Sequence, residues 1–142
     1  MSGATERATP AEWLEFAEED LTGARLLAGA SRGTPWRMAA FHAQQGAEKA
    51  LKGYLLAHQV RFPYTHNIDV LMELCAKHGV WTAAIAGAES LSIYAQNMRY
   101  PGEDEPVTKR DAAKALKLAE NVNTAVKRAL RAEGLHPKSS RR

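Results

Sequence analysis

Three threonines mark where this chain is built to start helices. Thr9-Pro10-Ala11-Glu12 is a capping box with proline at the first helical position, and Thr34-Pro35 repeats the cap-plus-proline start. Thr108-Lys109-Arg110-Asp111 opens the last helical stretch. After each, apolar residues recur three and four apart, the spacing that gathers side chains on one face of an α-helix. Strand signals are absent. A chain punctuated this way buries itself by laying helix on helix.

The first helix carries Trp13, Leu14, Phe16, Ala17, Leu21, Ala24, Leu27 and Ala28 until Gly29 to Gly33 break the pattern. The second runs from Thr34-Pro35 to about His58. Val60 to Thr65 is a loop, because Pro63 has a fixed φ and restricts Phe62 before it. A short helix over Asn67 to His78 buries Ile68, Leu71, Met72 and Cys75, capped by Thr65 or Asn67 and stopped by Gly79. Trp81 to Met98 reads as one further helix, with Ile85, Ala88, Leu91, Ala95 and Met98 inward and Pro101-Gly102 ending it. Glu103 to Pro106 is an acidic turn. In the last helix Ala112, Ala115, Leu116, Ala119, Val122, Val126 and Leu130 face inward, up to Gly134.

The expectation is an all-α fold, an antiparallel up-and-down bundle of four long helices plus one short helix. Residues 1–9 read as a flexible N-terminus, 10–134 as the bundle and 135–142 as a basic tail. A length of 142 residues suits one domain. No apolar run approaches the roughly 20 residues of a membrane span, and no secretory leader pattern opens the chain, so the expected compartment is the cytoplasm. Cys75 is the only cysteine, which excludes an internal disulfide and a cysteine-based zinc site. The net charge is +3, unevenly spread. The first helix holds Glu12, Glu15, Glu18, Glu19 and Asp20 against Arg25. From Lys127 onward, Lys127, Arg128, Arg131, Lys138, Arg141 and Arg142 face Glu133 alone. Such a tail suits phosphate-rich partners or simply a solvated end.

Polar residues on an apolar face point to function. On the second helix Phe41, Ala40, Ala43, Ala47, Ala50, Leu51, Tyr54 and Leu55 form one arc, and Gln44 and Glu48 fall inside it. A carboxylate there needs a partner, since an unpaired buried charge costs several kcal/mol. Lys52, four residues on, has the spacing for an ion pair, and Lys49 lies beside it. In the loop, His66 is placed to bond a carboxylate or approach a phosphate. At the end of the fourth helix, Arg99 suits the negative pole of the helix dipole. It also offers a forked phosphate donor between Tyr94 and Tyr100, whose rings suit a base. No metal motif, glycine-rich phosphate loop or Ser/His/Asp order is present, and no cofactor is expected.

Phe41-His-Ala-Gln-Gln-Gly-Ala-Glu-Lys-Ala-Leu-Lys52, Phe62-Pro-Tyr-Thr-His-Asn-Ile68 and Tyr94…Arg99-Tyr-Pro-Gly102 together resemble HEPN domain proteins. The resemblance spans about Pro10 to Leu130. It implies an all-α bundle, a homodimer, and a nucleotidyltransferase partner in a two-component, toxin–antitoxin-like module. Some HEPN proteins are metal-independent ribonucleases, marked by a late arginine, four to six intervening residues and a histidine. Others resemble non-catalytic nucleotide-binding domains. Here no histidine lies in Tyr100 to Val107 after Arg99. Arg37/His42, Arg61/His66 and Arg131/His136 have the spacing at the wrong places. The missing general base sets a non-catalytic domain binding a nucleotide or a partner first. A ribonuclease toxin acting on RNA through Arg99 and His66 comes second, and a purely structural docking dimer third. In the first reading Gln44, Glu48, Lys49, Lys52, His66, Tyr94, Arg99 and Tyr100 line the ligand site.

Overall fold

Helix α1 (Pro10–Ala28) begins where its capping box places it. The Glu12 amide donates to Thr9 Oγ1 at 3.1 Å, and the Thr9 amide donates back to Glu12 Oε1 at 2.9 Å. The computed structural model describes residues 8–30, 33–96 and 106–137. Helix α2 (Trp36–Ala57) starts without a side-chain cap, Pro35 standing at the N-cap in place of the expected Thr34. Short α3 (Ile68–Ala76) follows, then 3₁₀ segments at Val80–Ile85 and Ala88–Ser92, and short α4 (Ile93–Gln96). Helix α5 (Lys109–Ala132) closes the described chain with the Thr108–Asp111 capping box in place.

Side-chain pairs fix the helix directions. Trp13 and Leu14 lie against Gly53, Leu21 lies against Gly46, and Asp20 bonds His42, so α1 and α2 are antiparallel. Glu18 meets Asn123 and Lys127, while Arg25 meets Glu120, so α1 and α5 are antiparallel too. Helices α2 and α5 therefore run the same way, and the short segments between them return the chain. The core is built on α2, with Leu51, Tyr54 and Leu55 fully buried against Leu21 of α1, Ile68 and Leu71 of α3, and Val122, Val126 and Leu130 of α5. Small residues let α1 and α2 close on each other. A Cβ added to Gly46 would stand 2.8 Å from Leu21 Cδ2.

One expectation fails. The helix predicted over Trp81 to Met98 is broken, leaving three long helices among the described residues rather than four. Ala86 is extended at ψ 135°, and Gly87 takes a left-handed φ of 101°, so no continuous ladder passes through them. The inward residues Ile85, Ala88 and Leu91 are buried as expected, with Ala88 and Leu91 one 3₁₀ turn apart in the second segment and Ile85 at the end of the first. The break has a use. Ser92 Oγ accepts the Ile68 amide at 2.8 Å and caps α3 from a distant segment, while Thr65 instead receives the Asn67 amide.

Two helices end in the same six-residue motif with different residues at the left-handed position. After α5, Gly134 has φ 72° and the Leu135 amide returns to the Leu130 carbonyl at 2.8 Å. After α2, Gln59 takes φ 59° and the Val60 amide returns to Leu55 at 2.9 Å. That turn delivers the chain into the loop carrying His66.

Candidate functional site

The Glu48 carboxylate is 3% exposed, and both of its oxygens are occupied. Oε1 receives Gln44 Nε2 at 3.0 Å, faces His66 Nδ1 at 3.0 Å and takes a longer contact from Gln45 Nε2 at 3.5 Å. Oε2 receives Lys52 Nζ at 2.9 Å. The charge expected to need a partner has several, which explains how it sits on an apolar face. Gln44 also donates to the His66 carbonyl at 3.1 Å and is oriented by Gln45 Nε2 on its own oxygen at 2.7 Å. His66 is thereby held by its backbone and by its ring.

Lys52 is as buried as its partner, at 6% exposed. Its ammonium lies 5.8 Å from the Trp13 ring centre and 5.4 Å from that of Phe62, and these two rings meet edge-on at 5.7 Å. A desolvated cation between aromatic faces gains up to about 2 kcal/mol, which offsets part of its burial. The pair Trp13 and Phe62 closes one end of the polar network by joining α1 to the loop. At the other end the site opens to solvent. The His66 side chain is 42% exposed, and Nε2 has no hydrogen-bond partner among the described residues. Tyr64, 92% exposed, stands edge-on to that imidazole at 5.9 Å.

Of the residues expected to share a site, the structure joins Gln44, Glu48, Lys52 and His66. Lys49 turns instead to α1, where its Nζ bonds Asp20 Oδ2 at 2.6 Å while His42 Nδ1 takes Oδ1 at 3.0 Å. Tyr94 is half-buried, and burial, then the Asp111 charge, raise its hydroxyl above the usual tyrosine value. No hydrogen bond or ring contact among the described residues links it to Glu48 or His66. Arg99 and Tyr100 lie outside the described residues. Trp13, Phe62 and Tyr64 were not legible as site residues. Trp13 was absorbed into the periodic inner face of α1, and the two loop aromatics carried no periodic signal.

A second polar cluster sits where α2 and α5 end. Tyr54 donates to Glu133 Oε2 at 2.8 Å, and His58 Nε2 meets Glu133 Oε1 at 2.7 Å. Burial, reinforced by Glu133, pushes the Tyr54 hydroxyl up to about 12. His78 stacks on His58 at 4.4 Å and Trp81 packs on Tyr54 at 4.8 Å. This cluster ties helix ends together. Among the described residues no group of three or more His, Cys, Asp or Glu side chains is placed to hold a metal ion, and no helix is long and apolar enough to cross a membrane.

Comparison with known proteins agrees with this architecture. The family model for the HEPN domain matches residues 10–129. The crystal structure of ST0689, an archaeal HEPN homologue, superposes with a TM-score of 0.68 at 28% sequence identity, covering 87% of this chain and 98% of that one. No curated protein matches the sequence.

Proposed function

We propose, from the premise that this chain belongs to the HEPN domain family over residues 10–129, that it is a non-catalytic member whose Glu48–His66 site binds the phosphate-bearing part of a nucleotide. The observation that carries this reading is the held imidazole. His66 is fixed from a buried carboxylate at 3.0 Å, yet among the described residues its other ring nitrogen has no partner, and it stands beside an exposed aromatic ring. A ring nitrogen supplies one directed contact to a phosphate, and Tyr64 supplies a stacking face for a base. Gln44, Glu48 and Lys52 order the site. In this proposal Arg99, with Tyr94 or Tyr100, approaches the same ligand, while Lys49 is held by Asp20 on the α1 side.

Titration with adenine and guanine nucleotides tests the reading. Binding at micromolar to near-millimolar concentration is expected, weakened at least tenfold in His66→Ala and in Arg99→Ala. No binding at near-millimolar nucleotide would remove it. The family resemblance also motivates a homodimer that associates with a nucleotidyltransferase protein. Light scattering should give twice the chain mass, and Arg99→Ala should leave partner association intact if docking is purely structural.

A metal-independent ribonuclease is the second reading, favoured by the same geometry, since a carboxylate-oriented imidazole is a fit acid or base. It requires that folded protein cleave RNA without added metal and that His66→Ala abolish cleavage. Intact RNA after incubation with folded wild type would dismiss it.

A further inference from the structure

We infer that His66 takes up a proton when a phosphate group binds, so that Glu48 makes this site a proton-coupled anion site. The inference rests on the nucleotide-binding reading above and specifies its chemistry. Glu48 is ion-paired with Lys52 at 2.9 Å, and a carboxylate only accepts hydrogen bonds. The proton in the 3.0 Å contact between Glu48 Oε1 and His66 therefore belongs to Nδ1. A neutral imidazole holding its one proton there offers a lone pair at Nε2. Phosphate oxygens are also acceptors, so the two repel until a second proton converts the ring to an imidazolium.

Among the described residues, the two lysines on this part of α2 are already paired. Lys52 neutralises Glu48, and Asp20 neutralises Lys49 on the α1 side. Gln44 and Gln45 are neutral, and the Tyr64 ring is the aromatic neighbour within the loop. The unit of Glu48, Lys52 and neutral His66 carries no net charge. Protonation of His66 supplies one positive charge at the surface, where the ligand's negative charge arrives. Glu48 is thus a positioning residue acting through His66.

Calorimetric titration of the full chain with ATP, in buffers of different ionisation enthalpy, reads the proton count directly. At a pH where the ring of the free protein is neutral by its ¹⁵N spectrum, uptake should approach one proton per ATP bound. The dissociation constant should weaken about tenfold for each further pH unit, the slope of a single coupled proton. His66→Gln places a permanent neutral N–H donor on an exposed loop and should bind ATP with no uptake. ¹⁵N spectra of the free protein should show the neutral His66 ring protonated at Nδ1, and Glu48→Gln should release that preference. Binding whose heat is independent of buffer overturns the inference and leaves the nucleotide reading standing. So does a neutral ring protonated at Nε2, or unchanged uptake in His66→Gln. Absence of ATP binding removes the reading and the inference together.

Discussion

Replacing Glu48 by leucine removes one carboxylate and strands one cation. Lys52 would keep its aromatic neighbours at 5.8 and 5.4 Å but lose the 2.9 Å bond to Oε2, while remaining at a position only 6% exposed. Breaking one side of a buried pair typically costs about 3–5 kcal/mol. Because the Trp13 and Phe62 faces continue to solvate the ammonium, we expect the lower end, about 3 kcal/mol. Lys52→Met alone strands the carboxylate instead and should also destabilise. Replacing both together leaves no buried charge, and exchanging a buried pair for apolar residues is often neutral. The double variant should therefore lie within about 1 kcal/mol of wild type, so the coupling energy should be at least about 2 kcal/mol and larger by whatever Lys52→Met costs alone. Urea unfolding followed by far-ultraviolet circular dichroism measures all four proteins. Strict additivity, or a Glu48→Leu variant as stable as wild type, would refute the argument. The double variant also separates structure from function: it should fold, yet lose nucleotide affinity because no carboxylate orients the His66 ring.

Helix termini give matched tests. Gln59→Gly should raise stability by up to about 1 kcal/mol, because a left-handed φ costs a non-glycine residue about 1–2 kcal/mol and glycine's greater unfolded-state freedom takes part of that back. Gly134→Ala should lose about 1 kcal/mol for the converse reason, both read from thermal melts. Ser92→Ala removes the acceptor of the Ile68 amide and should cost about 1 kcal/mol, with faster hydrogen exchange at the start of α3. Burial raises the Glu18 carboxyl, but bonds from Lys127 and Asn123 outweigh it and hold it below its ordinary value near 4.5. Its contribution is therefore present above that value and is lost as pH falls through the lowered one. Glu18→Gln should flatten the acid limb of the stability profile, modestly, since Glu18 is partly exposed and screened.

Local rules made the long helices legible. Capping boxes at Thr9 and Thr108 fall where the sequence put them, because such caps depend on residues only three positions apart. Glu48 was legible as a residue needing partners, and Lys52 and His66 were among those expected. Trp13 and Phe62 were not, because their role comes from α1 meeting a loop far along the chain. The broken helix departs from the sequence pattern for a related reason. Ile85, Ala88 and Leu91 satisfy a helical face, and only Gly87 between the first two signals the break. Ser92 reaching Ile68 is a tertiary cap that no local motif announces.

That tertiary cap bears on motion. Helix α3 is short, and its first amide is secured by a side chain at the end of a 3₁₀ segment, a winding with poorer hydrogen bonds than the α-helix. Lifting Ala88–Ser92 would free the start of α3, but it would also withdraw the buried Ala88 and Leu91 from the core. Ser92, which hydrogen-bonds neither the imidazole nor its carboxylate, thus ties the helix that follows the His66 loop to the 3₁₀ segment.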